Sequence, residues 1–250
     1  ATYSYELNNK KAPFDNVNVR KALNLSLDRN VITDKVLGQG QTPTYVFTPT
    51  YIEEGHLIQQ PAYSKEPMAQ RNEEAIKLLE EAGYSKANPL KFSILYNTNE
   101  NHKKVAIAAA SMWKANTKGL IDVKLENQEW KTYIDSRRAG RYDAARAGWN
   151  ADYNQATTFG NYFLSNSSNN TAKYANPEYD KAIAESYVAT DAEGRAKAYA
   201  KAEEILAKDY GIVPIFNYVN PRLVKPYVKG YSGKDPQDHI YLRNLYIIKH

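Results

Sequence analysis

The sequence predicts an α/β fold with a mixed sheet, a parallel βαβ core and flanking helices. Three observations carry this. Between residues 90 and 149, short apolar or alternating runs take strict turns with longer segments whose apolar residues recur every three or four positions. Apolar residues make up 42% of the 250 positions, enough for a substantial core, and no run nears the roughly 18 apolar residues of a membrane span. Cysteine is absent, which removes disulfides, thiolate metal sites and a cysteine nucleophile.

Taken in order, residues 1–9 alternate as a strand with Tyr3, Tyr5 and Leu7 on one face. The pattern starts abruptly, so the chain reads as the C-terminal part of something longer. Pro13 and Asp15 introduce a helix over 17–27 in which Val19, Leu23 and Leu27 share a face. Asp28 caps a second helix, stopped by Gly38 and Gly40. Residues 39–67 hold four prolines and no sustained period, which predicts a long loop over the domain surface. Helices at 71–82, 101–118 and 132–139 then alternate with strands at 90–96, 121–126 and 142–149, and Gly83 takes a left-handed C-terminal position. Beyond them come a helical stretch at 153–164, a polar loop at 165–171 and a helical pair at 177–190 and 192–209. Pro177 sits in the first turn of that pair and Asp191 caps its second member. A strand at 212–219 leads to a tail with Pro221, Pro226, Gly230, Gly233 and Pro236. The last strand, 240–248, has an apolar run that predicts burial.

The net charge of +5, from 33 basic and 28 acidic residues well mixed along the chain, is too mild for a nucleic-acid footprint, so no nucleic-acid partner is expected. The densest basic cluster, Arg137, Arg138, Arg141 and Arg146, encloses Asp143 and reads mostly as a solvated face. The 21 tyrosines suit surfaces that hold varied ligands, and equally suit strand packing. There is no nucleophile elbow, Gly-rich phosphate loop or HExxH. His56, His102, His239 and His250 lack metal-ligand spacing, so neither catalysis nor a cofactor is expected.

Ligands of open α/β sheets sit beyond the carboxyl ends of the strands, which puts the loops 97–102, 127–130 and 150–154 on one rim and His102 and Asp152 with them. The richest stretch is YDAARAGWNADYN, 142–154. Alternation sends Ala145, Ala147 and Trp149 to one face and Arg146, Gly148 and Asn150 to the other. Gly148 leaves backbone bare for close approach, Trp149 offers a wide apolar surface with an N–H in need of a partner, and Asp152 is a fixed anion. Each residue has a plainer role when taken alone. Trp149 would be core, Asp152 the cap of the next helix, Arg146 a solvated charge and His102 a surface histidine. Only their combination makes a ligand site. The enzymatic alternative pairs Asp143 with Asp152 as general acid and base.

Five stretches, LYNTNENHKK, NQEWKTYIDSR, YDAARAGWNADYN, IVPIFNYVNPRLVKP and RNLYIIKH, resemble in colinear order the C-terminal half of the periplasmic oligopeptide-binding proteins of ABC importers, in solute-binding protein family 5. The resemblance implies a periplasmic-binding-protein-like type II fold, two lobes hinged about a cleft that holds an extended peptide. Here 1–16 would be a strand and linker crossing from a first lobe, 17–219 the second lobe, and 220–250 a tail crossing back. It implies a periplasmic, non-catalytic receptor whose partners are an oligopeptide, an ABC permease of the inner membrane and the N-terminal lobe. Asp152 would take the peptide's ammonium, Gly148, Trp149 and Asn150 would lie along its backbone, and Arg146 and His102 would receive its carboxylate. Some positions depart from the family. Enteric relatives join the positions of Ala1 and Asn150 by a disulfide, Leu37 replaces a lysine used for the carboxylate, and Gln155 and Ala156 replace a glutamate and a proline after ADYN. Murein peptide or haem are the alternative ligands on this scaffold, and a hydrolase using Asp152 is the alternative outside it.

Overall fold

The computed structural model describes residues 1–233, 235 and 238–249. Strand β1 (Thr2–Leu7) is buried along its whole length because it lies inside the sheet. Helix α1 (Val17–Leu25) starts where the Asn16 side chain accepts from the Asn18 N–H, and Val19, Ala22 and Leu23 face the core. Asp28 Oδ1 accepts from the N–H groups of Asn30 and Val31 at 3.0 and 3.3 Å, as expected of a cap. The turns that follow, Val31–Leu37, are π-helical, and Gly38 closes them at φ +63°.

Then come β2 (Thr42–Pro43), α2 (Met68–Glu81), β3 (Leu90–Asn97), α3 (Glu100–Asn116), β4 (Ile121–Gln128), α4 (Trp130–Arg138) and β5 (Ala144–Trp149). They are followed by α5 (Thr157–Gly160), α6 (Pro177–Val188), α7 (Ala192–Lys208), β6 (Ile212–Asn217) and a separate hairpin of β7 (Val228–Lys229) and β8 (Tyr246–Ile247). The main sheet has the order β2-β6-β1-β5-β3-β4. Strands β4, β3 and β5 run parallel, as their intervening helices require, while β1 is antiparallel to both β5 and β6 and β2 is antiparallel to β6. One core sets Tyr5, Leu23, Phe92 and Trp113 between the sheet and α1 to α3, with the Trp113 N–H donating to the Leu23 carbonyl at 2.9 Å. A second core, around Phe159, Phe163, Tyr179 and Tyr199, joins α5, α6 and α7 to the other side.

Four sequence expectations need correction. Residues 39–67 are not draped over the surface, since Tyr45, Val46, Phe47, Ile52, Ile58 and Tyr63 are buried and Phe47 inserts between Phe159 and Phe163. This packing is aperiodic, so no helical or strand pattern announces it. The helix expected at 153–164 shrinks to α5 and a 3₁₀ turn at Asn161–Phe163. Of the basic cluster only Arg138 and Arg141 are exposed, since Arg137 and Arg146 are both half-buried, Arg137 against the buried Glu6. The last strand is reduced to β8 and lies open to solvent, with Leu242 77% and Ile247 69% exposed. An apolar run records a need for burial, not the surface that meets it. Pro236 and His250, read as part of the tail and of its terminal motif, lie outside the described residues.

Candidate functional site

Parallel β3, β4 and β5 end on one rim, where antiparallel β1 begins and β6 ends. Tyr3 therefore lies opposite Gly148 and Thr2 opposite Trp149, and the Tyr218 N–H donates to the Ala1 carbonyl at 3.0 Å. This register gathers Arg146, Tyr3, Tyr218 and His102 on one face. The Arg146 guanidinium stands 5.1 Å from the Tyr3 ring centre, and its Nη2 donates to the Tyr218 hydroxyl. His102 is set at the start of α3, where the Asn99 side chain accepts from the N–H groups of Asn101 and His102 at 2.9 and 3.2 Å. Its ring lies 5.6 Å from that of Tyr3.

The electrostatics of this face are one-sided. Burial, then the Arg146 charge, pushes the His102 imidazole from 6.5 down to about 3, so it is neutral at pH 7. Burial alone would lower Arg146, but Tyr218, Tyr3 and Tyr133 outweigh it and hold the guanidinium charged. Arg146 Nε and His102 Nδ1 are buried without a hydrogen-bond partner, and among the described residues no carboxylate pairs with Arg146. A Cβ at position 148 would stand 3.1 Å from Arg146 Nη2 and 3.2 Å from Tyr218 Oη. The bare backbone at Gly148 is thus first used by the chain's own side chains, which close over the strand.

Trp149 faces the other way. Its indole N–H donates to the Thr158 carbonyl at 2.8 Å, and Tyr162 meets its ring edge-on at 4.8 Å between centres. Asp152 is exposed, its N–H donating to Thr158 Oγ1 at 3.1 Å and that hydroxyl donating to Asp152 Oδ2 at 3.3 Å. It does not cap α5, whose N-cap position is held by Ala156 with no side-chain hydrogen bond. The loop is held instead by Gln155 Nε2 donating to Glu54 at 2.8 Å and by the Ala156 N–H donating to the Glu53 carbonyl at 2.9 Å. Asn150 is exposed just past the end of β5.

Strand β5 pairs with β3 only at Ala144 and Ala145. From Arg146 onward its β3 side has no strand neighbour among the described residues, and the Tyr133 hydroxyl donates to the Arg146 carbonyl. Trp130, 55% exposed and stacked on Tyr133 at 5.8 Å, borders this opening. Sequence reasoning named neither Trp130 nor Tyr3 and Tyr218 as site residues. Trp130 follows a strand on the expected rim, which was a usable signal. The Tyr3–Tyr218 contact depends on pairing between distant strands and left none.

Asp143 lies at the opposite end of β5 from Asp152. Burial raises it, but Lys11 Nζ at 2.7 Å and the N–H and hydroxyl of Ser93 at 3.0 and 3.2 Å together hold its carboxyl below the usual range. The acid–base pair of Asp143 and Asp152 is therefore not assembled. What the rim offers is binding chemistry: among the described residues, a guanidinium without a carboxylate, a carboxylate without a cation, and an open strand edge between them.

Residues 1–171 match the bacterial extracellular solute-binding proteins of family 5, over the middle part of that family. The chain is 98% identical over 249 residues to the periplasmic oligopeptide-binding protein OppA of Haemophilus influenzae, covering 100% of this chain and 46% of the relative. It is 44% identical to the periplasmic murein peptide-binding protein MppA of Escherichia coli, with 100% of this chain and 46% of the relative covered. The crystal structure of Haemophilus influenzae OppA in complex with RPPGFSPFR superposes with a TM-score of 0.93 at 98% identity, over 99% of this chain and 48% of that one. The chain thus spans about half the length of the curated relatives it matches.

Proposed function

This chain belongs to the bacterial extracellular solute-binding proteins of family 5, and from that premise we propose that it is the peptide-holding lobe of a periplasmic receptor delivering oligopeptides to an ABC permease. The family is one of binding proteins, and the proposed role is capture without catalysis. One observation supports it above the rest: the open side of β5 runs between Arg146 and Asp152, two opposite charges that no partner among the described residues neutralises. An extended peptide laid along that edge would pair through its main chain, which demands no particular side chains, and would be fixed at its ends by charge. Its ammonium would go to Asp152 and its carboxylate to Arg146 and His102, with Trp149, Gly148 and Asn150 along its backbone.

In this reading residues 1–16 and 220–250 connect the lobe to a first lobe elsewhere in the protein, and the exposed apolar side chains of the tail, Leu242 and Ile247 among them, pack against it. The test is titration calorimetry on the longer protein that carries this segment. Asp152→Ala should weaken a free-amine peptide about tenfold to a hundredfold, the value of a charge-assisted bond, and leave an N-acetylated peptide almost unaffected. Unchanged affinity for the free-amine peptide would end the assignment. The 250 residues alone should bind only at millimolar levels, because solvent-exposed hydrogen bonds net about 1 kcal/mol each while association costs at least about 4 kcal/mol.

A further inference from the structure

A second cavity lies away from the rim. It measures about 790 Å³ and is walled by α1, the middle of α2 at Glu74, residues 57–66 and α7. Tyr210 lines it, and Tyr218 lies at the rim, with the six-residue strand β6 between them, roughly 20 Å of extended chain. Leu25, Pro61 and Ala207 make an apolar floor together with the rings of Tyr63 and Tyr210, whose centres are 5.9 Å apart.

The charges around this floor are divided by wall. On one side are Glu66 and Glu74 with Lys21, and on the α7 side are Lys197, Lys201 and Lys208 with Glu204. Most are already paired: Lys21 with Glu74 at 2.5 Å, Lys208 with Glu204 at 2.5 Å, and Lys201 with Glu185, outside the cavity, at 3.0 Å. Two remain. Glu66 keeps a buried carboxylate oxygen with no hydrogen-bond partner, and Lys197 is exposed on α7 with no carboxylate against it among the described residues. The negative character of the first wall registers on Tyr210, which burial, then Glu74 and Glu66, push up to about 12.

We propose that this cavity binds a small zwitterion with an apolar body, a large aliphatic or aromatic amino acid or a dipeptide, its ammonium on Glu66 and its carboxylate on Lys197. The volume lies within the range of small-molecule pockets. An ammonium against the Glu66 carboxylate makes a charge-assisted hydrogen bond, and the apolar body covers the tyrosine floor. A ligand with one charge satisfies only one wall.

The test is NMR titration of this chain with L-phenylalanine, with 2-phenylethylamine and 3-phenylpropionate as single-charge controls, read on the methyl groups of Leu25 and Leu57. Saturable shifts there are expected with phenylalanine, and each control should bind about tenfold more weakly. Glu66→Gln should weaken phenylalanine about tenfold and leave 3-phenylpropionate unchanged. Lys197→Met should weaken phenylalanine similarly and leave 2-phenylethylamine unchanged. An unchanged thermal midpoint shows that either variant is folded. The proposal is overturned if the shifts are confined to residues around Trp149, if the three probes bind alike, if neither variant alters phenylalanine binding, or if no saturable shift occurs at tens of millimolar.

Discussion

Arg137 and Arg146 occupy neighbouring stretches of sequence and opposite conditions in the fold. Around Arg137 every charge is answered within the chain. Its guanidinium donates to both Glu6 oxygens at 2.8 and 3.2 Å, the hydroxyls of Tyr162 and Thr171 also donate to that carboxylate, and the Tyr142 hydroxyl closes on the Thr171 carbonyl. Around Arg146 there are tyrosine hydroxyls and a neutral imidazole, with Nε left unpaired. The first arrangement is complete without anything from outside and serves stability. The second keeps a charge in partial burial without a counter-ion, an arrangement that an arriving anion would complete.

The sharpest way to break this contrast is to remove each arginine. Arg137→Ala leaves Glu6 buried and unpaired and should cost about 3 to 5 kcal/mol in chemical denaturation. Arg146→Ala orphans no carboxylate and should cost far less. Equal losses would erase the distinction. Next in size, Arg146→Gln in the longer protein should weaken a peptide with a free carboxylate about tenfold to a hundredfold and spare its C-terminal amide. Calorimetry finding both peptides equally affected would show that Arg146 does not read the carboxylate. Smaller again, Gly148→Ala drives a methyl against Arg146 Nη2 and Tyr218 Oη. Both are ends of side chains that can shift, so stability should change by only about 1 kcal/mol while peptide affinity falls several-fold.

A separate handle on the same face is the titration of His102. Its folded pKa of about 3 lies below the ordinary 6.5, so as pH falls through that window the unfolded chain takes up a proton that the folded chain refuses. Acidification therefore lowers stability there, and His102→Gln should flatten that part of the pH profile. A peptide carboxylate beside the ring should raise the pKa, which NMR titration of the imidazole would detect. A ring still at about 3 with peptide bound would place the carboxylate elsewhere.

What was readable beforehand follows range along the chain. The alternation from 90 to 149, the Asp28 cap and the glycine at 38 depend on residues a few positions apart, and the structure repeats them. That His102 sits on the rim where β5 ends was readable, because parallel strands must end on one rim, whereas its meeting with Arg146 was implied only by the family resemblance. The Glu6–Arg137 network, the Tyr3–Tyr218 pair and the burial of residues 39–67 were not, since each is made by segments far apart with no local period. The tail misled for a related reason: its apolar residues meet no packing surface within the chain described.

The position of β1 has a kinetic consequence. Thr2–Leu7 is flanked by β5 on one side and by β6 on the other, so the middle of the sheet can be zipped only after Ile212–Asn217 has been made. The βαβ block and the α6–α7 hairpin can form from near neighbours in the meantime. Closing so long a loop delays the β1–β6 seam until residues 212–217 have been made, and until then the β6-facing edge of Thr2–Leu7 stands unpaired even where β5 already covers the other, an edge from which a nascent chain needs protection.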